Sequence, residues 1–98
     1  MGVRTFVKGE IAYGQYHRFL SAVEEYKRYR EKKGWVVPEV LHSLAGPMNT
    51  VMMVYSFPST EALEAEARLT SADPQYAAVA SAMGFREPTI RYELYRES

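Results

Sequence analysis

The chain has 98 residues, enough for one domain and too few for two. Its 12 basic residues balance 12 acidic ones, so no overall field draws it to nucleic acid or to an anionic membrane. Cysteine is absent, which excludes disulfides, thiolate nucleophiles and thiolate metal ligation together.

Hydrophobic residues make up 47% of the chain and charged ones 24%, the balance of a folded globular domain. The longest uncharged apolar run, residues 50–58, falls far short of the roughly 20 residues a bilayer span requires. No signal-peptide core surrounds Arg4 and Lys8, so a cytoplasmic protein is the expectation.

Val3, Thr5 and Val7 alternate with Arg4, Phe6 and Lys8, which predicts a first strand over 3–8. The period then changes. Tyr16, Phe19, Leu20, Val23 and Tyr26 fall on one helical face, opposite Arg18, Glu24, Glu25 and Arg28, and predict a helix over about 14–33. Glu24 and Arg28 stand four apart in the favourable order. Lys32 and Lys33 suit the negative end of the helix dipole, and Gly34 supplies a left-handed stop.

Residues 38–45 read as a second strand, Gly46-Pro47-Met48-Asn49 as a turn, and 50–57 as a third strand. Ser59 or Thr60 caps a second helix, with Glu61 and Glu64 near its positive end. Asp73-Pro74 restarts a helix that turns Tyr76, Val79, Ala80 and Met83 inward and ends at Gly84. Residues 89–95 alternate again as a fourth strand.

Two helices cover only one face of a four-stranded antiparallel sheet. On the outer strands Val3, Thr5 and Val7 share an apolar face with Ile90, Tyr92 and Leu94, while Arg4, Phe6 and Lys8 share the other with Arg91, Glu93 and Tyr95. The third strand has no polar face: Thr50, Met52, Val54 and Ser56 alternate with Val51, Met53, Tyr55 and Phe57. A central strand apolar on both sides calls for cover on both. A chain this short has to take the second cover from another copy, so a homodimer is expected.

The run Gly46-Pro47-Met48-Asn49-Thr50-Val51-Met52-Met53-Val54-Tyr55-Ser56-Phe57, followed by Asp73-Pro74-Gln75-Tyr76, resembles the NIPSNAP family, and Val3-Arg4-Thr5-Phe6 is similar to that family's opening strand. The resemblance implies a single domain over 1–98 with α+β, ferredoxin-like βαββαβ order and a four-stranded antiparallel sheet. Two such protomers would pair into a dimeric α/β barrel. The wider superfamily includes small oxygenases, haem-degrading enzymes, isomerases and proteins without known activity. Met53 stands where the family often has histidine, Tyr55 where it often has tryptophan, and Leu44 where glutamate is common. A histidine-dependent role therefore does not carry over.

His42 and Ser43 are adjacent on a strand, point to opposite faces and cannot form a base–nucleophile pair. His42 reads as a hydrogen-bonded structural histidine ahead of a ligand or base, and His17 as a partly exposed side chain. Two separated histidines make no metal site, and folding without metal is expected. Asp73, the only aspartate, is explained as a helix cap. Lys27, Arg28, Arg30, Lys32 and Lys33, broken by Glu31, suit a helix C-terminus rather than nucleic acid.

Arg4, Arg91 and Glu93 read first as a cross-strand ion pair and second as an arginine holding a ligand's acidic or carbonyl group. Tyr16, Tyr26, Tyr29 and Tyr76 follow helical spacing and read as packing residues. The candidate ligand-binding set is Arg4, His42, Asn49, Met53 and Tyr55, with the Met53–Tyr55 face as the pocket wall and the opposite face, with His42, as the alternative. The expected function is binding of a small, largely apolar or aromatic molecule, extended by the resemblance to a cofactor-independent oxygenase or isomerase. The alternatives are haem binding through His17 or His42, and a dimeric scaffold or regulatory module without chemistry.

Overall fold

The computed structural model describes residues 2–98. Its elements run β1 (Val3–Glu10), α1 (Tyr16–Lys33), β2 (Glu39–His42), β3 (Thr50–Phe57), α2 (Thr60–Ala72), α3 (Tyr76–Ser81) and β4 (Arg91–Arg96). The strands form one antiparallel sheet in the order β2-β3-β1-β4. This is the ferredoxin-like order: the two strands central in space, β1 and β3, are separated in sequence by a helix and an edge strand.

Register decides which side chains meet. Thr5 lies opposite Tyr55 and Leu94, and Val7 opposite Met53 and Tyr92. Val40 lies opposite Met53 and His42 opposite Val51. All of these occupy the helix-covered face, together with Val3, Val51 and Phe57. Arg4, Phe6, Lys8, Met52, Val54, Leu41, Glu93 and Tyr95 occupy the other, on which no helix of the described residues packs. The alternation expected for β1 and β3 is present residue by residue.

The helix α1 buries Phe19, Val23, Tyr26 and Arg30, successive steps of four, three and four residues along one stripe. Leu20, expected on that stripe, is at its edge and largely exposed. The helix stops as its sequence dictates. Gly34 adopts φ 77°, its N–H bonds the Glu31 carbonyl at 3.0 Å, and the Trp35 N–H bonds that of Arg30 at 2.9 Å. Ser59 caps α2, accepting from the Ala62 N–H at 3.1 Å. Asp73 Oδ1 accepts from the N–H groups of Gln75 and Tyr76, which tightens the turn into α3.

Three details differ from expectation. The strand β2 is shorter, because the chain leaves the ladder after Ser43 into an exposed loop that carries Leu44 and Met48. The strand β4 begins later, because Pro88 initiates a 3₁₀ turn over Glu87–Thr89. Arg28 pairs with Glu25 at 3.9 Å rather than with Glu24, and both side chains are exposed. The core joins Val3, Phe19, Val23, Val51, Phe57 and Met83 between α1, α3 and the sheet. Gly9 permits one close approach: a Cβ there would stand 2.7 Å from the Phe85 ring, which packs edge-on against Phe19.

Candidate functional site

The helix layer leaves part of its sheet face open. The first helix lies over β2 and β3, where Tyr16 reaches His42 and Tyr26 reaches Tyr55. No residue of α2 is fully buried. Toward β4, Tyr92 is 72% and Leu94 56% exposed. Between α2, α3 and the sheet is a cavity of about 590 Å³, a volume typical of small-molecule pockets. Its walls are mainly apolar and include Val7, Met53, Phe57, Leu63, Met83 and Ile90.

One end of the cavity is polar, and its organiser is Arg30. This side chain sits where the apolar stripe of α1 takes its next step and is only 2% exposed. Burying a guanidinium is costly unless it is paired and hydrogen-bonded. Here Nε donates to the Val36 carbonyl and Nη2 to the Glu66 carboxylate. The second carboxylate oxygen of Glu66 accepts from the Val36 N–H at 2.7 Å, so a loop, α1 and α2 are tied at one point. The guanidinium carbon lies 5.0 Å from the Tyr55 ring centre and 5.7 Å from that of Trp35, favourable cation–π distances.

Three tyrosine hydroxyls meet beside it. Tyr26 is 2.6 Å from Tyr55 and 2.8 Å from Tyr76, and Arg30 Nη1 approaches Tyr26 at 3.4 Å and Tyr76 at 3.3 Å. Burial pushes the Tyr55 hydroxyl up to about 12. Burial, then the neighbouring tyrosine, raises Tyr26 and Tyr76 still further. All three are neutral hydrogen-bonding groups at physiological pH. For Arg30, burial works against the charge, but Tyr26 and Glu66 outweigh it and its pKa is raised. Thr5 Oγ1, on the strand directly beside Tyr55, is buried without a hydrogen-bond partner.

The structure divides the candidate set. Met53 and Tyr55 line the cavity. Arg4 is on the opposite sheet face, exposed, and 3.8 Å from Glu97 rather than paired with Glu93. Arg91 Nη1 donates to the Pro88 and Ile90 carbonyls, so the Arg4–Arg91–Glu93 cluster does not form. Asn49 is buried and donates to the Ile11 carbonyl at 2.8 Å, pinning the turn outside the cavity. His42 shares the Met53 face rather than the opposite one, but at the β2 edge, with Nδ1 3.0 Å from the Tyr16 hydroxyl. Neither His42 nor the exposed His17 lines the cavity, so it offers a haem iron no histidine. Among the described residues no three carboxylate or imidazole groups converge on a point where a metal ion would sit, and no helix is long and apolar enough to cross a membrane.

Sequence reasoning grouped Arg30 with the basic end of α1 and took Tyr26 and Tyr76 for packing residues. The signal for Arg30 was its phase: Phe19, Val23 and Tyr26 place the next inward position at 30. Glu66 gave no comparable signal, since its meeting with Arg30 depends on how two helices dock.

No protein-family model and no curated protein matches the chain. Solved structures do match. A NIPSNAP domain protein from Burkholderia xenovorans superposes with a TM-score of 0.76 at 14% identity, covering 98% of this chain and 94% of that one. A NIPSNAP family protein from Agrobacterium tumefaciens gives 0.74 at 13% identity, with 100% and 94% covered. A second from the same organism, described as of unknown function, gives 0.72 at 19% identity, with 99% and 88% covered. The resemblance read from the Gly46–Asn49 turn, the β3 strand and Asp73–Tyr76 is thus matched across the whole domain, and the chain has the fold of the NIPSNAP proteins.

Proposed function

We propose that this chain binds a small, largely apolar molecule in the cavity between its helix layer and its sheet, and that it works as a homodimer. The observation that carries the binding reading is the cavity itself: about 590 Å³ of mainly apolar wall closed at one end by Arg30, Glu66 and three tyrosine hydroxyls. Concave apolar space with a few convergent polar groups is the usual form of a small-molecule site. An oxygenase or isomerase working without a cofactor on such a molecule is the catalytic form of this reading.

The dimer reading rests on the other sheet face. Phe6, Met52 and Val54 lie there under no helix, flanked by Leu41 at 49% and Tyr95 at 53% exposed. Pairing two such faces would bury an apolar centre inside a charged rim of Arg4, Lys8, Glu93 and Arg91. Native mass spectrometry of the purified protein tests both parts. A dimer mass carrying a bound small molecule is the expected result. A bare monomer at micromolar concentration, with a folded charge-state distribution, overturns the dimer.

A further inference from the structure

The polar end of the cavity specifies what kind of molecule fits, and this rests on the binding reading above. The first constraint is a count of protons. Tyr26, Tyr55 and Tyr76 carry one hydroxyl proton each, and two hydrogen bonds join their oxygens. Two protons are used within the cluster and one is left over. Tyr26 does not hold it. That arrangement would have Tyr26 accept from both neighbours and from Arg30, while its own proton, on a side chain 1% exposed, found no acceptor. The spare proton therefore belongs to Tyr55 or Tyr76. The alternative acceptor for Tyr55 is the Met53 sulfur at 3.8 Å, a weak one, and both tyrosines line the cavity.

The second constraint is charge. The Arg30 cation is answered by Glu66 at the same end, and the remaining charged group of the lining is the exposed carboxylate of Glu87. The cavity thus offers a hydrogen-bond donor without net positive charge, which disfavours an anion. The remaining walls are apolar apart from small hydroxyl groups such as the unpartnered Thr5.

We propose that the cavity selects a neutral, apolar molecule bearing a ketone-type carbonyl oxygen, and that this oxygen accepts the spare proton of the Tyr55–Tyr26–Tyr76 cluster. The count also says which variant is informative. Removing the Tyr55 or the Tyr76 hydroxyl alone leaves two protons for one hydrogen bond, so a spare donor survives. Removing both leaves one proton and no hydrogen bond, on Tyr26, which also lines the cavity, so only replacing all three tyrosines abolishes the donor.

The test uses the full chain and three naphthalene probes measured by calorimetry: the dye prodan, a neutral aryl ketone; its counterpart with propyl in place of propionyl; and its counterpart with a carboxylate there. The ketone is expected to bind about tenfold more tightly than the hydrocarbon, the effect of one neutral hydrogen bond, and the carboxylate most weakly. In the Tyr26→Phe/Tyr55→Phe/Tyr76→Phe variant the ketone should fall to the affinity of the hydrocarbon, whose own affinity is retained. Equal binding of ketone and hydrocarbon by the unaltered chain overturns the carbonyl assignment and leaves the apolar site standing. Tightest binding of the carboxylate overturns the charge argument. Failure of all three probes to bind counts against the cavity as a ligand site. Should the triple variant not fold, the three-probe comparison on the unaltered chain still decides.

Discussion

Two regions of one sheet face are covered in opposite ways. Over β2 and β3, α1 buries Phe19, Val23, Tyr26 and Arg30 almost completely. Over β1 and β4, α2 and α3 stand off the sheet, no residue of α2 is fully buried, and Tyr92 and Leu94 remain exposed. The same alternating strands supply both floors, so the difference lies in the helices. The α1 stripe carries large side chains, Phe19, Tyr26 and Arg30, at three of its four inward steps. The inner side of α2 and α3 intersperses small ones, Ala67, Thr70, Ala80 and Ser81, between Leu63, Glu66 and Tyr76. Small side chains on a helix that covers a sheet leave space, and here that space is the cavity.

Substitutions should therefore cost stability on one side and binding on the other. The largest stability effect is expected from Phe19→Ala, about 3–5 kcal/mol by denaturant unfolding, because a ring 2% exposed leaves a hole its neighbours only partly fill. Leu69→Ala, on the exposed side of α2, should change stability by less than about 0.5 kcal/mol. Equal losses at the two positions would mean that Leu69 is packed as tightly as Phe19, against the uneven cover of the helix layer.

Next in size is the Arg30–Glu66 pair. Glu66→Ala leaves a buried guanidinium without its carboxylate and should destabilise by about 3 kcal/mol. Arg4→Ala removes an exposed partner from Glu97 and should cost no more than about 1 kcal/mol. A paired replacement, Arg30→Met with Glu66→Leu, should recover much of the Glu66→Ala loss, since the desolvation cost disappears with the charge.

The tyrosine cluster and the turn into α3 respond at opposite ends of the pH scale. Tyr55 is raised from 10.0 to about 12 by burial, so its neutral form is favoured in the folded state. That stabilisation is complete below pH about 10 and is lost as pH rises through about 12. Tyr26 and Tyr76 move in the same direction, and Tyr29, whose hydroxyl donates to Asp73, is raised to about 12, so four of the eight tyrosines should ionise late in a phenolate absorbance titration.

Asp73 gives the smaller, acid-side effect. The Tyr29 hydroxyl at 2.6 Å, then the Gln75 N–H and Lys33, hold its carboxyl at about 2 against an ordinary 3.8. Its contribution is present above pH about 4 and lost as pH falls toward about 2, and Asp73→Asn should remove that part of the acid dependence. An unchanged acid profile in Asp73→Asn would show that the turn into α3 is held by other contacts.

Most of the architecture was legible because it depends on short-range pattern. The two apolar faces of β3, the α1 stripe, the Gly34 stop, the Ser59 cap and the Asp73-Pro74 turn are each written within a few residues. The site was only half legible. Met53 and Tyr55 follow from strand alternation, but Glu66 and Tyr76 reach Arg30 across 36 and 46 residues of sequence. Arg30 was hidden by its chemistry, since a cation in the last turn of a helix is adequately explained by the dipole until its phase is counted. Arg4 and Asn49 stand apart from this cavity for different reasons. The first is on the opposite sheet face, and the amide of the second is engaged by the Ile11 carbonyl.

The central claim, that the poorly covered half of the helix-side sheet face is the binding site, is tested most directly by backbone amide NMR during titration with prodan. The account predicts shifts concentrated at Thr5, Val7, Ala67, Met83 and Tyr92, which surround the cavity, with little change at Phe19 and Val23 in the sealed half. Shifts confined to Arg4, Phe6 and Tyr95 on the opposite face, or no shifts at saturating probe, would contradict it.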